Sequence, residues 1–185
     1  MRRDDGTPLI LGVAALLAAL PYALRGSRAM VDEGLVDGYW GSQGAGALIT
    51  TGERCLLLKR SWDVLDPGLW GVPGGAVPVD DETGEAADLL ETAMQEVQEE
   101  AELDLRGVGE VTGKTVFVAP NGRFRYTTFI LRVPSAWASR AKPRLNWESS
   151  DWGWFGAQEV ERLREAGSLH PGVSFTMDRA RVFDR

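Results

Sequence analysis

The chain has 185 residues, of which 44% are hydrophobic and 25% are charged, and its formal net charge at pH 7 is −7. This length allows one ordinary domain plus an extension, and seven tryptophans and six phenylalanines supply enough apolar surface to exclude global disorder. No basic run is long enough for a sequence-independent grip on duplex phosphates, so duplex nucleic acid is not an expected partner.

An uncharged apolar run over residues 8–24 lies near the start of the chain, with arginines on both sides. It is slightly shorter than the ~20 residues that span a bilayer, and Pro21 interrupts it. A hydrophobic helix packed on the domain or on a partner subunit and a membrane anchor both fit, and a cleaved signal peptide is a third interpretation. We expect residues 1–40 to form an N-terminal extension, and the protein to be cytoplasmic or anchored to the cytoplasmic membrane by this segment.

Five short apolar segments bounded by turn residues predict strands. Asn121 and Gly122 separate two of them, which is the strongest short signal for a hairpin. Cys55 lies in another and is the only cysteine of the chain, which excludes an intrachain disulfide and favours a small core residue over a nucleophile. The segments are residues 46–50, 54–60, 114–120, 124–133 and 151–155.

Two helices are predicted among these strands, near residues 88–102 and 157–167. Residues 66–88 contain five glycines and three prolines, which indicates a functional loop with specified backbone geometry. Residues 135–150 have the composition of a long surface loop.

The first predicted helix starts at Asp88, which has the spacing of a capping box with Glu91. Its apolar side chains gather on one narrow stripe, which predicts the buried face. They are Leu90, Ala93, Met94, Val97 and Ala101.

Glu96, Glu99 and Glu100 fall together beside this stripe, on an arc of about 100°, whereas Glu102 points elsewhere. Like charges at this spacing each destabilise a helix by a few tenths of a kcal/mol, and glutamates late in a helix oppose its dipole. A solvated acidic face is the plain interpretation of such a helix. No lysine or arginine of the helix offsets these two penalties, whereas a bound divalent cation would remove both. The three glutamates therefore suggest the hypothesis of a metal site.

This helix resembles the signature of the Nudix hydrolases, G-x5-E-x7-R-E-U-x-E-E-x-G-U, where U is a bulky apolar residue. Its segment "QEVQEEAEL" (95–103) matches the later part of that signature, within a divergent Nudix box at about residues 74–103. "GLWGVPGG" (68–75) looks like the segment that leads into the signature, and "LLLKRS" (56–61) like the family's second strand. The likeness covers roughly residues 42–182.

The chain departs from the signature at three points. Gln95 stands where the family has arginine, and Glu102 where it has glycine. Glu85, as the isolated glutamate, lies ten residues after Gly75 rather than six and ten before Gln95 rather than eight.

The resemblance implies an α/β fold, with residues 41–185 forming an α/β/α sandwich around a mixed β-sheet. The implied activity is hydrolysis of a nucleoside diphosphate linked to another moiety, with Mg²⁺ or Mn²⁺ as the cofactor. Glu96, Glu99 and Glu100 would be the metal ligands. The carbonyl of Gly74 would add another ligand, or Gly74 serves only a tight turn.

The resemblance also suggests catalytic and substrate-binding residues. Glu99 is the candidate general base, and Glu148 is a fourth carboxylate, a base or a plain surface residue. Arg60, at a strand end, would meet phosphate oxygens or form a surface ion pair. Gly75 and Trp70 are further substrate-binding candidates, Trp70 either as a base-stacking face or as part of the core.

The expected partner is a small nucleotide, either a nucleoside triphosphate or an ADP-ribose-like dinucleotide, and a homodimer is compatible with the sequence. The alternative function is a Nudix-like module that has lost turnover and senses a nucleotide. Gln95 and Glu102 favour this alternative, whereas the three retained glutamates favour the enzyme.

Overall fold

The computed structural model describes residues 35–36, 39–40 and 42–184 of the chain. The apolar run 8–24 lies outside these residues, so the predicted helix or anchor there, and the boundary near residue 40, stay predictions. Within the described part of the chain, no helix has the combined length and apolar character that crossing a bilayer requires.

The described residues form nine strands and four helices. The strands are β1 (Leu35–Val36), β2 (Tyr39–Trp40), β3 (Gln43–Thr50), β4 (Arg54–Arg60), β5 (Trp70–Gly71), β6 (Gly74–Ala76), β7 (Glu110–Val118), β8 (Arg125–Arg132) and β9 (Ser149–Gly156). The helices are α1 (Leu89–Ala101), α2 (Ser135–Ala138), α3 (Ala157–Glu165) and α4 (Pro171–Arg179).

Strands β3 to β9 form one mixed sheet, and β1 and β2 pair separately. The sheet has the order β5-β4-β3-β8-β7, with β6 paired to β3 and β9 paired to β4. β3 runs parallel to β8 and antiparallel to both β4 and β6, which confirms the predicted mixed sheet.

Each central strand contributes to two cores, because successive side chains point to opposite faces of the sheet. On one face, Ala47 and Leu56 pack in a cluster with Val97 of α1. On the other, Leu48 and Cys55 pack in a cluster that includes side chains of α3 and α4. The sheet therefore lies between helices, as predicted.

Burial raises the pKa of the Cys55 thiol to about 12, so this cysteine is a core residue and no nucleophile.

The five predicted strands correspond to β3, β4, β7, β8 and β9, and the two predicted helices to α1 and α3. The hairpin between β7 and β8 turns at Gly122, which has a φ of +72°. Its connection, residues 119–124, is longer than a two-residue turn, and the N–H of Ala119 and the carbonyl of Phe124 close it at 2.9 Å.

Two helices and the short strands β1, β2, β5 and β6 are absent from the sequence prediction, and β5 and β6 lie inside the segment 66–88 that the sequence predicts as a loop. α2 lies inside the segment predicted as a surface loop, and a helix of four residues is too short to show a hydrophobic period in the sequence. α4 begins with Pro171 and Gly172, and His170 precedes it and accepts the N–H of Gly172 through Nδ1 at 3.1 Å. His170 therefore has a structural role as the cap of α4.

Helix α1 starts as predicted, with the Asp88 carboxylate accepting the N–H groups of Leu90 and Glu91 at 2.9 Å each. The Glu91 carboxylate forms an ion pair with Arg106. The structure therefore gives Glu91 a partner outside the capping box that the sequence predicts.

Helix α1 ends at Glu102, whose φ of 50° and ψ of 35° are left-handed. Its N–H donates to the carbonyl of Gln98 at 3.1 Å, so the conformation terminates the helix. A residue with a Cβ loses about 1 kcal/mol or more in this conformation, whereas glycine, which the resembled signature has here, does not.

We expect Glu102→Gly to stabilise the protein by about 1 kcal/mol, which raises the melting temperature by about 2–4 °C. Thermal unfolding followed by circular dichroism measures the change. Glu102→Ala is the matched control: it removes the same charge and the exposed ion pair with Arg144 but keeps the Cβ. An equal gain in both variants would assign the effect to the charge at the helix end and refute the backbone explanation.

Candidate active site

Glu100 is the most buried acidic residue of α1, with 8% of its surface exposed. Its carboxylate oxygen Oε1 accepts the backbone N–H of Gly74 at 2.7 Å. Burial raises the pKa of Glu100 well above its usual range, and this hydrogen bond only partly offsets the effect. The contact of Gly74 with the site is thus through its N–H, and a role for its carbonyl stays a prediction.

Glu96 lies one turn earlier on α1 and approaches the backbone of Gly75. A Cβ built on Gly75 would overlap the Glu96 carboxylate, so glycine is required at this position for the observed contact. Burial, followed by the charges of Glu99 and Glu148, raises the pKa of Glu96 to about 8. At neutral pH Glu96 therefore retains its proton in the metal-free protein.

Glu99 is the exposed member of the three predicted metal ligands. Its Oε1 accepts a hydrogen bond from the side-chain amide of Gln95 at 2.7 Å. Gln95, which stands where the resembled signature has arginine, therefore positions this carboxylate directly.

Glu148 is brought to α1 by the segment that precedes β9. The N–H groups of Arg144 and Asn146 donate to the last carbonyls of α1, those of Ala101 and Glu100, at 2.9 and 3.2 Å. The carbonyl of Glu148 itself accepts the N–H of Ser61 at 2.8 Å.

The Glu148 carboxylate interacts electrostatically with Glu99 of α1 and with Arg60. Burial raises its pKa, the Arg60 charge lowers it, and the Glu99 charge raises it again. Glu148 is therefore a fourth carboxylate close enough to interact with those of α1, although its predicted catalytic role stays a prediction.

Arg60 and Trp70 occupy different environments. The Arg60 charge lowers the pKa of both Glu100 and Glu148, so this cation is near enough to interact with both carboxylates.

Trp70 and Phe155 form an edge-to-face ring pair with centroids 4.7 Å apart, and the backbone of Trp70 bridges to Leu169. This packing favours the core role that the sequence left open for Trp70.

Tyr126 is a neighbour of the site that the sequence analysis missed. Its ring lies over Gly44 and Gly46 of β3, and its hydroxyl occupies the space where a Cβ of Gly74 would fall. Burial, then the charges of Glu100 and Glu96, raise the pKa of Tyr126. Glycines at alternate positions of a predicted strand are the signal that indicates such a close approach.

The donor set fits a hard divalent cation, because the side chains around the three α1 glutamates offer carboxylate oxygens. Burial, and then the charges of neighbouring carboxylates, raises the pKa values of Glu96 and Glu148, so a bound cation would favour their deprotonated forms. Within residues 42–184, no three acidic, histidine or cysteine side chains lie close enough together to hold a metal as they stand. Glu99 is hydrogen-bonded to Gln95, so its side chain must rotate to join an ion site, whereas Glu100 uses only Oε1 for the N–H of Gly74 and keeps Oε2 for an ion.

A family model for the NUDIX domain matches residues 42–173, and the chain accordingly belongs to the Nudix family. This confirms the predicted enzyme class, a hydrolase of the Nudix pyrophosphohydrolase type. No curated protein matches the chain by sequence.

Solved structures with the same fold include two Nudix hydrolases. RenU from M. smegmatis has a TM-score of 0.59 and 23% identity, over 76% of this chain and 84% of that one. The Nitrosomonas europaea enzyme has a TM-score of 0.54 and 18% identity, over 79% of this chain and 78% of that one.

A longer chain also shares the fold. It is a bifunctional NMN adenylyltransferase/ADP-ribose pyrophosphatase from Francisella tularensis, complexed with AMP and a manganese ion. The TM-score is 0.52 and the identity 16%, over 73% of this chain and 40% of that one. At these identities the three structures confirm the predicted fold.

We expect the metal-free protein to lose stability as the pH rises from about 5.5 to 8.5. The pKa of Glu96 is about 8 in the folded protein and about 4.5 in the unfolded chain, so the folded state binds more protons in this window. Glu148 shifts in the same direction, whereas the lowered pKa values of Asp80 and Asp184 act only at lower pH. The melting temperature in a chelator should fall by on the order of 5 °C.

Glu96→Gln is the control for this pH dependence and should weaken it, because it removes the carboxyl group whose pKa is raised to about 8. Adding Mg²⁺ should stabilise the wild-type protein more at pH 8.5 than at pH 5.5, since the cation binds the deprotonated carboxylates. A melting temperature that does not change across this window would refute the proposed repulsion.

We expect two neighbouring glycine substitutions to have different effects. Gly75→Ala displaces only the Glu96 carboxylate, so it should change stability by less than about 1 kcal/mol but impair function. Gly74→Ala places a Cβ 2.6 Å from the backbone Cα of Gly46, so it should destabilise the fold by about 2 kcal/mol or more. Urea denaturation measures both, and equal losses would contradict this reading of the contacts.

Proposed function

We propose that this protein hydrolyses a nucleoside diphosphate linked to another moiety and that it requires Mg²⁺ or Mn²⁺. The observation that carries the proposal is the group of carboxylates formed by Glu96, Glu100 and Glu148: burial, and then repulsion by neighbouring carboxylate charges, raises their pKa values. Such repulsion is unfavourable for the fold alone and becomes favourable when a cation is bound. Membership of the Nudix family supports the same reading.

Glu96, Glu99 and Glu100 would hold the cation after Glu99 leaves Gln95. When bound, the cation offsets the negative charge that develops on the pyrophosphate oxygens. Arg60 is near enough to interact with two carboxylates of the site and supplies a second positive charge for the same oxygens. A protein with a net charge of −7 would in this way accept a polyanionic substrate.

Two carboxylates are candidates for the base that takes the proton of the attacking water. Glu99 is exposed and is held by one hydrogen bond, so its carboxylate can move towards a water. Glu148 has a raised pKa, which brings it closer to the working pH that suits a general base. We retain both residues as catalytic candidates.

The substrate class is a nucleotide with two or more phosphates. The Francisella tularensis protein of similar fold is complexed with AMP and manganese, which supports a nucleoside with adenine as the base. We therefore propose ADP-ribose-like dinucleotides and nucleoside triphosphates as the substrates to test.

We expect the purified protein to release nucleoside monophosphate from at least one of ADP-ribose, diadenosine tetraphosphate and ATP, in the presence of Mg²⁺ or Mn²⁺ and not in a chelator. Glu99→Gln or Glu148→Gln should lower kcat by about 100-fold or more for whichever residue is the base. Glu102→Gln makes the same chemical change at the exposed end of α1 and should leave kcat unchanged. Product chromatography measures the rates.

The alternative, a nucleotide sensor without turnover, is favoured by Gln95 at the position of the family's arginine. The side-chain amide of Gln95 donates to Oε1 of Glu99 at 2.7 Å and so occupies one oxygen of this candidate ligand. Tight nucleotide binding with no product from any of the three substrates, with either metal, would establish the sensor and refute the hydrolase.

A further inference from the structure

Trp62 is the most exposed large hydrophobic side chain of the described residues, with 85% of its surface in contact with solvent. Leu65, at 57%, lies in the same loop. A tryptophan normally buries most of its large apolar surface, so an indole left in water by a well-ordered loop indicates a binding role.

The loop that carries Trp62, residues 61–69, is closed by hydrogen bonds to Arg60 at its start. The backbone N–H of Arg60 donates to the carbonyl of Leu69 at 2.9 Å, and its carbonyl accepts the N–H of Gly68 at 3.0 Å. Its guanidinium Nε donates to the carbonyl of Leu65 at 2.6 Å. The same arginine therefore fixes the loop and contributes charge to the carboxylate cluster.

The backbone of Trp62 lies near that of Glu148, one of the candidate site residues. The N–H of the preceding residue, Ser61, donates to the carbonyl of Glu148 at 2.8 Å. Consecutive Cα atoms are about 3.8 Å apart, so the Cα of Trp62 lies within roughly 8 Å of the Glu148 carbonyl. A nucleotide whose phosphates meet the carboxylates would extend its sugar and base over a comparable distance.

We infer that Trp62 stacks on the nucleobase of the substrate and so increases the affinity for ligands that carry a base over those that carry only phosphates. This inference rests on the proposed function, because it requires the pyrophosphate to bind at the carboxylates. An indole face stacks on any nucleobase and so stabilises the complex. Replacing such an indole with alanine lowers the affinity for the ligand by roughly fivefold to 100-fold. Trp70, the aromatic residue that the sequence suggested for this role, is packed against Phe155.

The test compares two non-hydrolysable probes in Mg²⁺ by isothermal titration calorimetry of the full chain. α,β-Methylene-ADP carries a base, and methylenediphosphonate carries only the phosphorus groups. Trp62→Ala should weaken binding of the first by roughly fivefold or more and leave binding of the second unchanged. Trp62→Phe should restore most of the affinity, and Leu65→Ala, in the same loop, should have no effect.

The outcomes separate this inference from the proposed function. If the wild type binds both probes and Trp62→Ala changes neither affinity, or weakens both equally, the stacking role is refuted while the pyrophosphate site stands. If the wild type binds neither probe, the proposed function fails and the inference fails with it. Circular dichroism of each variant checks that the exposed substitutions leave the fold intact.

Discussion

The hydrogen bond between the buried Glu100 carboxylate and the N–H of Gly74 is the constraint on which the rest of the site depends. A carboxylate that is 8% exposed requires a donor, because leaving it unpaired costs several kcal/mol. This donor comes from the strand that the glycine-rich loop adds to β3. The bond therefore fixes α1 against β6, and one turn earlier on α1 Glu96 meets the backbone of Gly75.

This close packing is possible because Gly44, Gly46 and Gly74 have no side chains. In the register of β3 with β8, Gly44 pairs with Tyr126 and Leu48 with Ile130, so Tyr126 lies on the face of α3 and α4. Its hydroxyl reaches the space beside Gly46 and Gly74. Only backbone separates the phenol from the carboxylates on the α1 face, which explains why their charges raise its pKa. Both faces of the sheet thus shape the site.

Local patterns in the sequence predicted the parts of the molecule that local physics determines. The five predicted strands, the Asp88 cap and the buried stripe of α1 follow from periodicity and capping, and each has its counterpart in the structure. The contact of Tyr126 with Gly74 and the closure of the loop around Arg60 depend on residues far apart in the chain, which periodicity does not reveal. The cap of α4 at His170 was missed because Pro-Gly at a helix start also reads as a turn.

The difference between local and long-range contacts also explains how the acidic cluster is held together without a cation. Glu96, Glu99 and Glu100 are adjacent on one helix, but Glu148 arrives from a segment held by backbone hydrogen bonds to α1 and to Ser61. These bonds do not depend on side-chain charge, so they keep the carboxylates close while burial, and then the charges of neighbouring carboxylates, raises the pKa values. The side chains can then rotate within a fixed backbone frame. A site of this kind is preorganised in its backbone and completed by its ligand.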